Sequence, residues 1–107
     1  MSDINNIIDA LNKDASKSMR KLVDLDYNYV DYDHLNSVYS NRLYTVKGII
    51  DFLNEPGFKS YRCEEVKNKL FELIQAILDS NEDSDFPTNL INKFMVIQEL
   101  IKNDFNL

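Results

Sequence analysis

Apolar residues recur along most of the chain at intervals of three and four, which is the spacing of one face of an α-helix. This spacing predicts four helices, over residues 3–22, 33–54, 60–79 and 87–104. Each would bury one apolar stripe against its neighbours and expose polar residues on the opposite side. The chain contains two Gly and two Pro, and this scarcity favours long helices over the many turns of an all-β domain.

Capping and breaking residues mark the boundaries of these predicted helices. Asp33 and Ser60 suit the N-caps of the second and third helices. Pro56-Gly57 is expected to end the second helix, and the fixed φ of Pro87 suits the first position of the fourth. Long helices joined by short connections pack as antiparallel neighbours. The sequence therefore predicts an all-α fold, a single-domain antiparallel four-helix bundle over residues 1–107.

Two residues on the predicted apolar faces need an explanation. Arg42 lies at helical spacing between Val38 and Val46 on the second helix. It either extends its charge to solvent from the edge of the stripe, or forms a buried ion pair or anion contact, because a buried guanidinium needs a partner. Cys63 shares the apolar side of the third predicted helix, which predicts a buried and unreactive thiol.

The negative charge of the chain is concentrated in two predicted connections. The formal net charge is −6, and residues 24–33 hold four Asp and no base, while residues 79–85 hold four acids and no base. The rest of the chain carries ten acids and twelve bases. In an up-down bundle these two connections lie at the same end, so the sequence predicts an acidic pole.

Aromatic residues accompany the acids in both segments. Rings supply contact area and carboxylates steer a basic partner, so this composition is typical of protein-binding surfaces. The alternative is that the segments are ordinary polar connections whose rings only close the core. The predicted partner-binding residues are Asp24, Asp26, Tyr27, Tyr29, Asp31, Tyr32, Asp33, Glu82, Asp83, Asp85 and Phe86.

Two further surfaces are visible in the helical pattern. Four basic residues share the polar side of the first helix, where a solvated face is the expectation and phosphate binding the alternative; they are Lys13, Lys17, Arg20 and Lys21. Three apolar residues lie outside the stripe of the fourth helix, which indicates either that this helix is central in the bundle or, as we expect, that they form an oligomer contact in a homodimer. These residues are Met95, Val96 and Leu100.

The sequence predicts no catalytic residue, no metal site and no cofactor. With His34 as the single histidine and Cys63 as the single cysteine, neither a zinc site of usual composition nor an acid–base or nucleophilic constellation can be assembled. Asp24-x-Asp26-x-Asn28 begins like a calcium loop, but the later Gly and Glu that such a loop requires are missing. We therefore expect a chain that is not an enzyme.

Charge and targeting features narrow the partner and the compartment. A net acidic chain repels phosphates, which argues against direct nucleic-acid binding. No signal-peptide pattern is present, and no apolar run approaches the roughly 20 residues of a membrane span, so no membrane partner is expected. A single cysteine fits a reducing compartment. Cytoplasmic localisation is therefore expected.

These observations predict a small acidic helical protein-binding module that inhibits or neutralises a partner protein with a basic surface. Immunity proteins, antitoxins and phage-encoded inhibitors have this combination of size and charge, which makes the inference one by analogy. A homo-oligomeric structural or adaptor domain is the first alternative. The second alternative is a bundle that binds a small ligand or nucleotide through Arg42, the lysines of the first helix and tyrosines.

Overall fold

The computed structural model describes residues 4–84 and 88–105, apart from the side chain of Phe105. These residues form five helices: α1 (Ile4–Asp24), α2 (Tyr32–Leu53), α3 (Pro56–Ser60), α4 (Glu64–Asp79) and α5 (Thr88–Phe105). The predicted all-α class is confirmed. The four long predicted helices correspond to α1, α2, α4 and α5, while Pro87, expected to open the last one, lies outside the described residues. Among the described helices, none is both long enough and apolar enough to cross a membrane.

Two helix pairs make up most of the packing. α1 packs most extensively against α2, and α4 packs against α5, while α1 also touches α4 and α3 touches both α2 and α5. Asp14 contacts Arg42, and Lys21, further along α1, contacts Tyr39, which comes earlier in α2. This reversed order of contacts means that α1 and α2 run in opposite directions, so their connection forms the end of a helical hairpin.

The core lies where the apolar stripes of all five helices meet. Phe52 of α2 contacts the rings of two other helices, with ring centroids 5.3 Å from Phe58 and 6.2 Å from Phe94. Tilted and edge-to-face ring contacts of this kind add to the free energy gained from burial. The buried core residues are Leu11, Val46, Ile49, Phe52, Leu53, Phe58, Leu70, Ile74, Ile77, Phe94 and Ile101.

The prediction for the third helix is wrong at its start. Pro56 occupies the first turn of α3, and the Ser60 hydroxyl donates back to the Pro56 and Gly57 carbonyl oxygens, at 3.0 and 3.2 Å. Ser60 thus ends α3 rather than capping the next helix. The backbone then runs extended to Cys63, the N-cap of α4. Cys63 is exposed, so the prediction of a buried thiol is also wrong.

The N-cap of α2 lies two residues before the predicted one. Asp33 was expected to be its N-cap, but it lies in the first turn, and Asp31 occupies the N-cap without a side-chain capping hydrogen bond. Asp33 instead places negative charge beside the positive end of the helix dipole, which is favourable for helix stability. The aspartates around this helix start are therefore not engaged as caps.

Candidate interaction surface

Arg42 is buried at the junction of three helices, with 1% of its surface exposed. Its Nε and Nη2 atoms donate to the two carboxylate oxygens of Asp14 at 2.8 and 2.7 Å, a side-on bidentate ion pair. Nη1 donates to Ser80 Oγ at 2.9 Å, and Nη2 reaches the carbonyl oxygens of Ile77 and Leu78 at 3.2 and 3.3 Å. The guanidinium therefore caps the C-terminus of α4, where carbonyl groups lack helical partners.

This geometry decides between the interpretations of Arg42. The side chain does not extend to solvent, because it is buried in an ion pair that joins α1 to α2. Its partner Asp14 was not predicted, although the sequence contains a signal for it. Asp14 lies at helical spacing between Leu11 and Ser18, which are both buried, so it is a charged residue on the packed face of α1, as Arg42 is on that of α2. Opposite charges placed in this way on neighbouring helices indicate a buried pair.

Ser80 was also missed, and here no sequence signal was available. It follows α4 directly, and its hydroxyl donates to the Ile77 carbonyl oxygen at 2.6 Å while accepting from Arg42. Because Arg42 holds Ser80, it fixes the start of the acidic connection between α4 and α5. The position of that connection on α1 and α2 follows from this anchor.

The acidic connection after α4 packs against α1 and α2. Lys17 Nζ lies 2.8 Å from Glu82 Oε1, and Lys21 Nζ lies 3.2 Å from Glu82 Oε2 and 2.6 Å from Asp83 Oδ1. The Tyr39 hydroxyl donates to the same Asp83 oxygen at 2.9 Å. We call Glu82, Asp83, Lys17, Lys21 and Tyr39 the ionic clasp. Two of the four basic residues expected on a solvated face therefore belong to an internal contact.

Contacts in the ionic clasp shift the pKa values of its members. The hydrogen bond from Lys17 lowers the pKa of Glu82 despite partial burial, and Lys21 lowers it further. Hydrogen bonds from Lys21 and then Tyr39 lower the pKa of Asp83. Partial burial disfavours the Lys21 charge, but hydrogen bonds to Asp83 and Glu82 outweigh it and raise the pKa of Lys21. Burial and the bond to Asp83 raise the pKa of Tyr39. The fold therefore favours the ionised forms of both acids.

The connection between α1 and α2 has a different environment. We call residues 23–33 the hairpin tip. Two backbone turns shape it, with Tyr29 N donating to Asp26 O at 2.9 Å and Tyr32 N donating to Tyr29 O at 3.0 Å. Asp26 Oδ1 also accepts from the Asn28 backbone N–H at 2.9 Å, an Asx-turn that fits the preference of aspartate for turns.

The four aspartates of the hairpin tip face solvent. Asp24, Asp26, Asp31 and Asp33 are all exposed, and within residues 4–84 and 88–104 none of them forms a salt bridge. Lys21, the nearest base on α1, lies one helical turn before Asp24 but contacts Glu82 and Asp83. The negative charge of the hairpin tip is therefore not matched by cations of the described fold.

Large apolar side chains are exposed beside these carboxylates. Val30 is 91% exposed and Tyr27 is 79% exposed, and Val23 and Tyr29 are exposed as well. Tyr32 is half-buried, and its ring lies 5.2 Å from that of Tyr27 between centroids. Core packing does not require these exposed groups, and contiguous apolar groups in water often mark an interaction site. Val23 and Val30 were not among the predicted partner-binding residues, although apolar residues in or beside a polar connection are a signal that the sequence contains.

The structure thus divides the predicted partner-binding residues into groups. Those between Asp24 and Asp33 lie in one continuous segment and are exposed except for the half-buried Tyr32, whereas Glu82 and Asp83 are held in the ionic clasp. Asp85 and Phe86 lie outside the described residues. Since Lys21 is three residues before Asp24, a rise of about 4.5 Å along the helix, the clasp and the hairpin tip occupy the same end of α1. In the ionic clasp the acids pair with lysines of α1, whereas no cation of the described residues pairs with the aspartates of the hairpin tip.

Comparison with known proteins gives no relative from which a function could be transferred. No protein-family model matches the chain, and no curated protein or solved structure matches it significantly. Within the described part of the chain, no group of three or more His, Cys, Asp or Glu residues is arranged to hold a metal ion.

Proposed function

We propose that the protein is a cytoplasmic, non-enzymatic binding module whose hairpin tip docks on a basic surface of another protein and blocks it. The observation that carries this proposal is the exposure of four aspartates together with Tyr27 and Val30 in one short segment. These exposed rings and aliphatic groups are not part of the buried core, and contact with a partner would remove them from water.

The two kinds of side chain would act at different stages of binding. Carboxylates without internal cations attract a basic partner from a distance and raise the association rate, an effect that weakens as salt shortens the Debye length to about 8 Å at physiological ionic strength. Tyrosine rings then bury area at the centre of the contact and slow dissociation. A basic active site or groove that otherwise accepts phosphate groups is the kind of surface that such a tip would occupy. This is the mode of action expected of an immunity protein, an antitoxin or a phage-encoded inhibitor.

A nucleotide-binding bundle receives less support from the same geometry. Arg42, the central cation of that alternative, donates to Asp14 and to the end of α4. Lys17 and Lys21 are paired with Glu82 and Asp83. An incoming anion would have to displace these internal partners before it could bind.

Affinity capture from the native host tests the proposal with two matched variants. In the first, Asp24, Asp26, Asp31 and Asp33 are replaced by Asn; in the second, Glu82→Gln is combined with Asp83→Asn. We expect wild type and the clasp variant to retain a partner with a basic surface, and the tip variant to lose it. Retention by the tip variant, or equal loss in both variants, would overturn the proposal. Circular dichroism verifies that all three proteins keep their helicity.

A second comparison isolates the aromatic contribution. Tyr27 and Tyr44 are both highly exposed, but Tyr44 lies on α2 outside the hairpin tip. Tyr27→Ala should weaken binding of the captured partner about 30-fold, the effect of losing an interface hot spot. Tyr44→Ala should leave the dissociation constant unchanged. Equal effects of the two substitutions would show that Tyr27 has no special role.

A further inference from the structure

A second exposed apolar surface lies between α4 and α5. It is a groove of about 610 Å³ lined by Lys69, Glu72, Leu73, Asn92, Lys93, Val96 and Ile97. Val96 is 70% exposed, and Leu100, one helical turn further along α5, is also exposed. None of the lining residues belongs to the hairpin tip. The groove is therefore a separate surface with its own occupant to be identified.

We propose that a second copy of this chain covers the groove, with Val96 and Leu100 of each protomer packed against the α4–α5 surface of its partner. Val96, which lines the groove together with Leu73 and Ile97, and Leu100, one turn further along, form a short apolar ridge on α5. In a two-fold symmetric contact each protomer contributes both the ridge and the groove. The same few residues thereby remove apolar surface from water on both protomers.

Charge favours a second copy over a basic partner as the occupant. A two-fold interface brings a surface against itself, so a self-associating surface must not be dominated by one sign of charge. Lys69 and Lys93 line the groove together with Glu72. The border therefore contains both signs. By contrast, two hairpin tips would bring aspartates against aspartates and repel.

Met95 is exposed on a different side of α5 from the groove. It is 54% exposed, and neither Met95 nor Leu100 is among the residues that line the groove, but Leu100 is one turn after the lining residue Val96 and shares its side of α5. Residues 95 and 97 are about 200° apart around a helix with about 3.6 residues per turn, so Met95 lies on the side opposite Ile97. The sequence pattern grouped Met95 with Val96 and Leu100 as an oligomer contact, and the geometry distinguishes them. Met95 is therefore the matched control for substitutions at the groove.

A dimer of this kind would carry two hairpin tips. Because the tip contributes nothing to the groove, self-association and partner binding would use different surfaces. A dimer could then contact two basic sites in one assembly, and the second contact would benefit from the raised local concentration. The dimer does not depend on the proposed inhibitory function, and either proposal can fail alone.

Sedimentation velocity over a protein concentration series tests the dimer. We expect wild type to be dimeric, and Val96→Lys and Leu100→Lys each to raise the dimer dissociation constant at least about 10-fold. Met95→Lys should leave the dissociation constant unchanged, as should replacement of the four tip aspartates by Asn. All these positions are exposed, so circular dichroism should show intact helices.

The proposal is overturned if wild type is monomeric at the highest concentration. It is overturned as well if Met95→Lys weakens the dimer as much as Val96→Lys does. A dimer that persists in both groove variants would show that another surface associates. Loss of the dimer in the tip variant alone would assign self-association to the hairpin tip and contradict the use of the groove.

Discussion

The two acidic connections have the same excess of charge and opposite surroundings. In the connection after α4, Glu82 and Asp83 accept hydrogen bonds from Lys17, Lys21 and Tyr39. In the hairpin tip, four aspartates face solvent beside exposed apolar groups. The role of an acidic segment is thus set by the cations that other helices bring to it, and its own composition does not reveal that role.

The difference has a structural origin in α1. Lys17 and Lys21 are four residues apart, on one side of the helix, and that side faces the connection after α4. Arg42 positions this connection by holding Ser80. No such anchor joins the hairpin tip to another helix in the described residues, since its hydrogen bonds are local turns. One connection therefore contributes to folding, and the other is free to serve a different purpose.

The largest effect is expected from removing the anchor of the clasp. Arg42→Ala should lower the free energy of unfolding by about 3–5 kcal/mol, because Asp14 would be left without its buried partner. Urea denaturation followed by circular dichroism measures this loss. Lys47→Ala is the control, an exposed base on the same helix that should change stability by less than about 0.5 kcal/mol. If Arg42→Ala costs no more than Lys47→Ala, Arg42 does not anchor the connection.

Replacing both members of the buried pair sharpens that prediction. Arg42→Met combined with Asp14→Leu removes both charges together, so neither is left buried alone. The double variant should be more stable than the sum of the two single losses predicts, since the two residues are in direct contact. Additive losses in the same denaturation experiment would show that the two charges do not interact.

The clasp itself should have a smaller effect that depends on pH. Glu82→Gln with Asp83→Asn should lower the free energy of unfolding by about 1 kcal/mol at pH 7, because partly exposed ion pairs contribute little. The folded state lowers the pKa of both acids, so their contribution is present above the ordinary carboxyl pKa of about 4 and is lost as pH falls through the lowered values. Urea denaturation at pH 7 and in strong acid should show the difference from wild type vanish at low pH. A difference that persists in acid contradicts the ionic origin.

The smallest effect is expected at the hairpin tip. Replacing Asp24, Asp26, Asp31 and Asp33 by Asn should change the free energy of unfolding by less than about 0.5 kcal/mol. Relief of repulsion among the aspartates favours the variant, while loss of the Asp33 charge near the start of α2 opposes it. Thermal and urea denaturation measure the net change. A destabilisation larger than that of the clasp variant would mean that the fold uses both acidic segments.

Periodicity was sufficient to predict the four long helices, with α2 placed at residues 33–54 and found at Tyr32–Leu53. The short α3 was missed because Ser60 fits the start of one helix and the end of another equally well. The burial of Phe58 of α3 against Phe52 of α2 favours a separate helix that ends at Ser60. That contact joins two elements, so the local sequence does not indicate it. The wrong prediction of a buried Cys63 follows from the same error.

The composition of the candidate site could be predicted from the sequence, but the contacts between its residues and those of other helices could not. The acids and tyrosines of the hairpin tip are contiguous in sequence, so counting finds them. Lys17 and Glu82 are separated by 65 residues, and Asp14 and Arg42 by 28 residues. Whether such residues meet depends on how each helix is rotated about its axis and on how its ends align with its neighbours. Apolar spacing defines the buried face but leaves that alignment open.

The most direct test of the central claim is the dissociation constant of the captured partner, measured by calorimetry for wild type, the tip variant and the clasp variant at low and high salt. We expect the tip variant to bind the partner at least about 100-fold more weakly than wild type, and the dissociation constant of the clasp variant to stay within about threefold of wild type. Salt should weaken wild-type binding more than that of the tip variant. Unchanged affinity in the tip variant, or an equal loss in the clasp variant, would contradict the claim that the exposed hairpin tip is the binding surface.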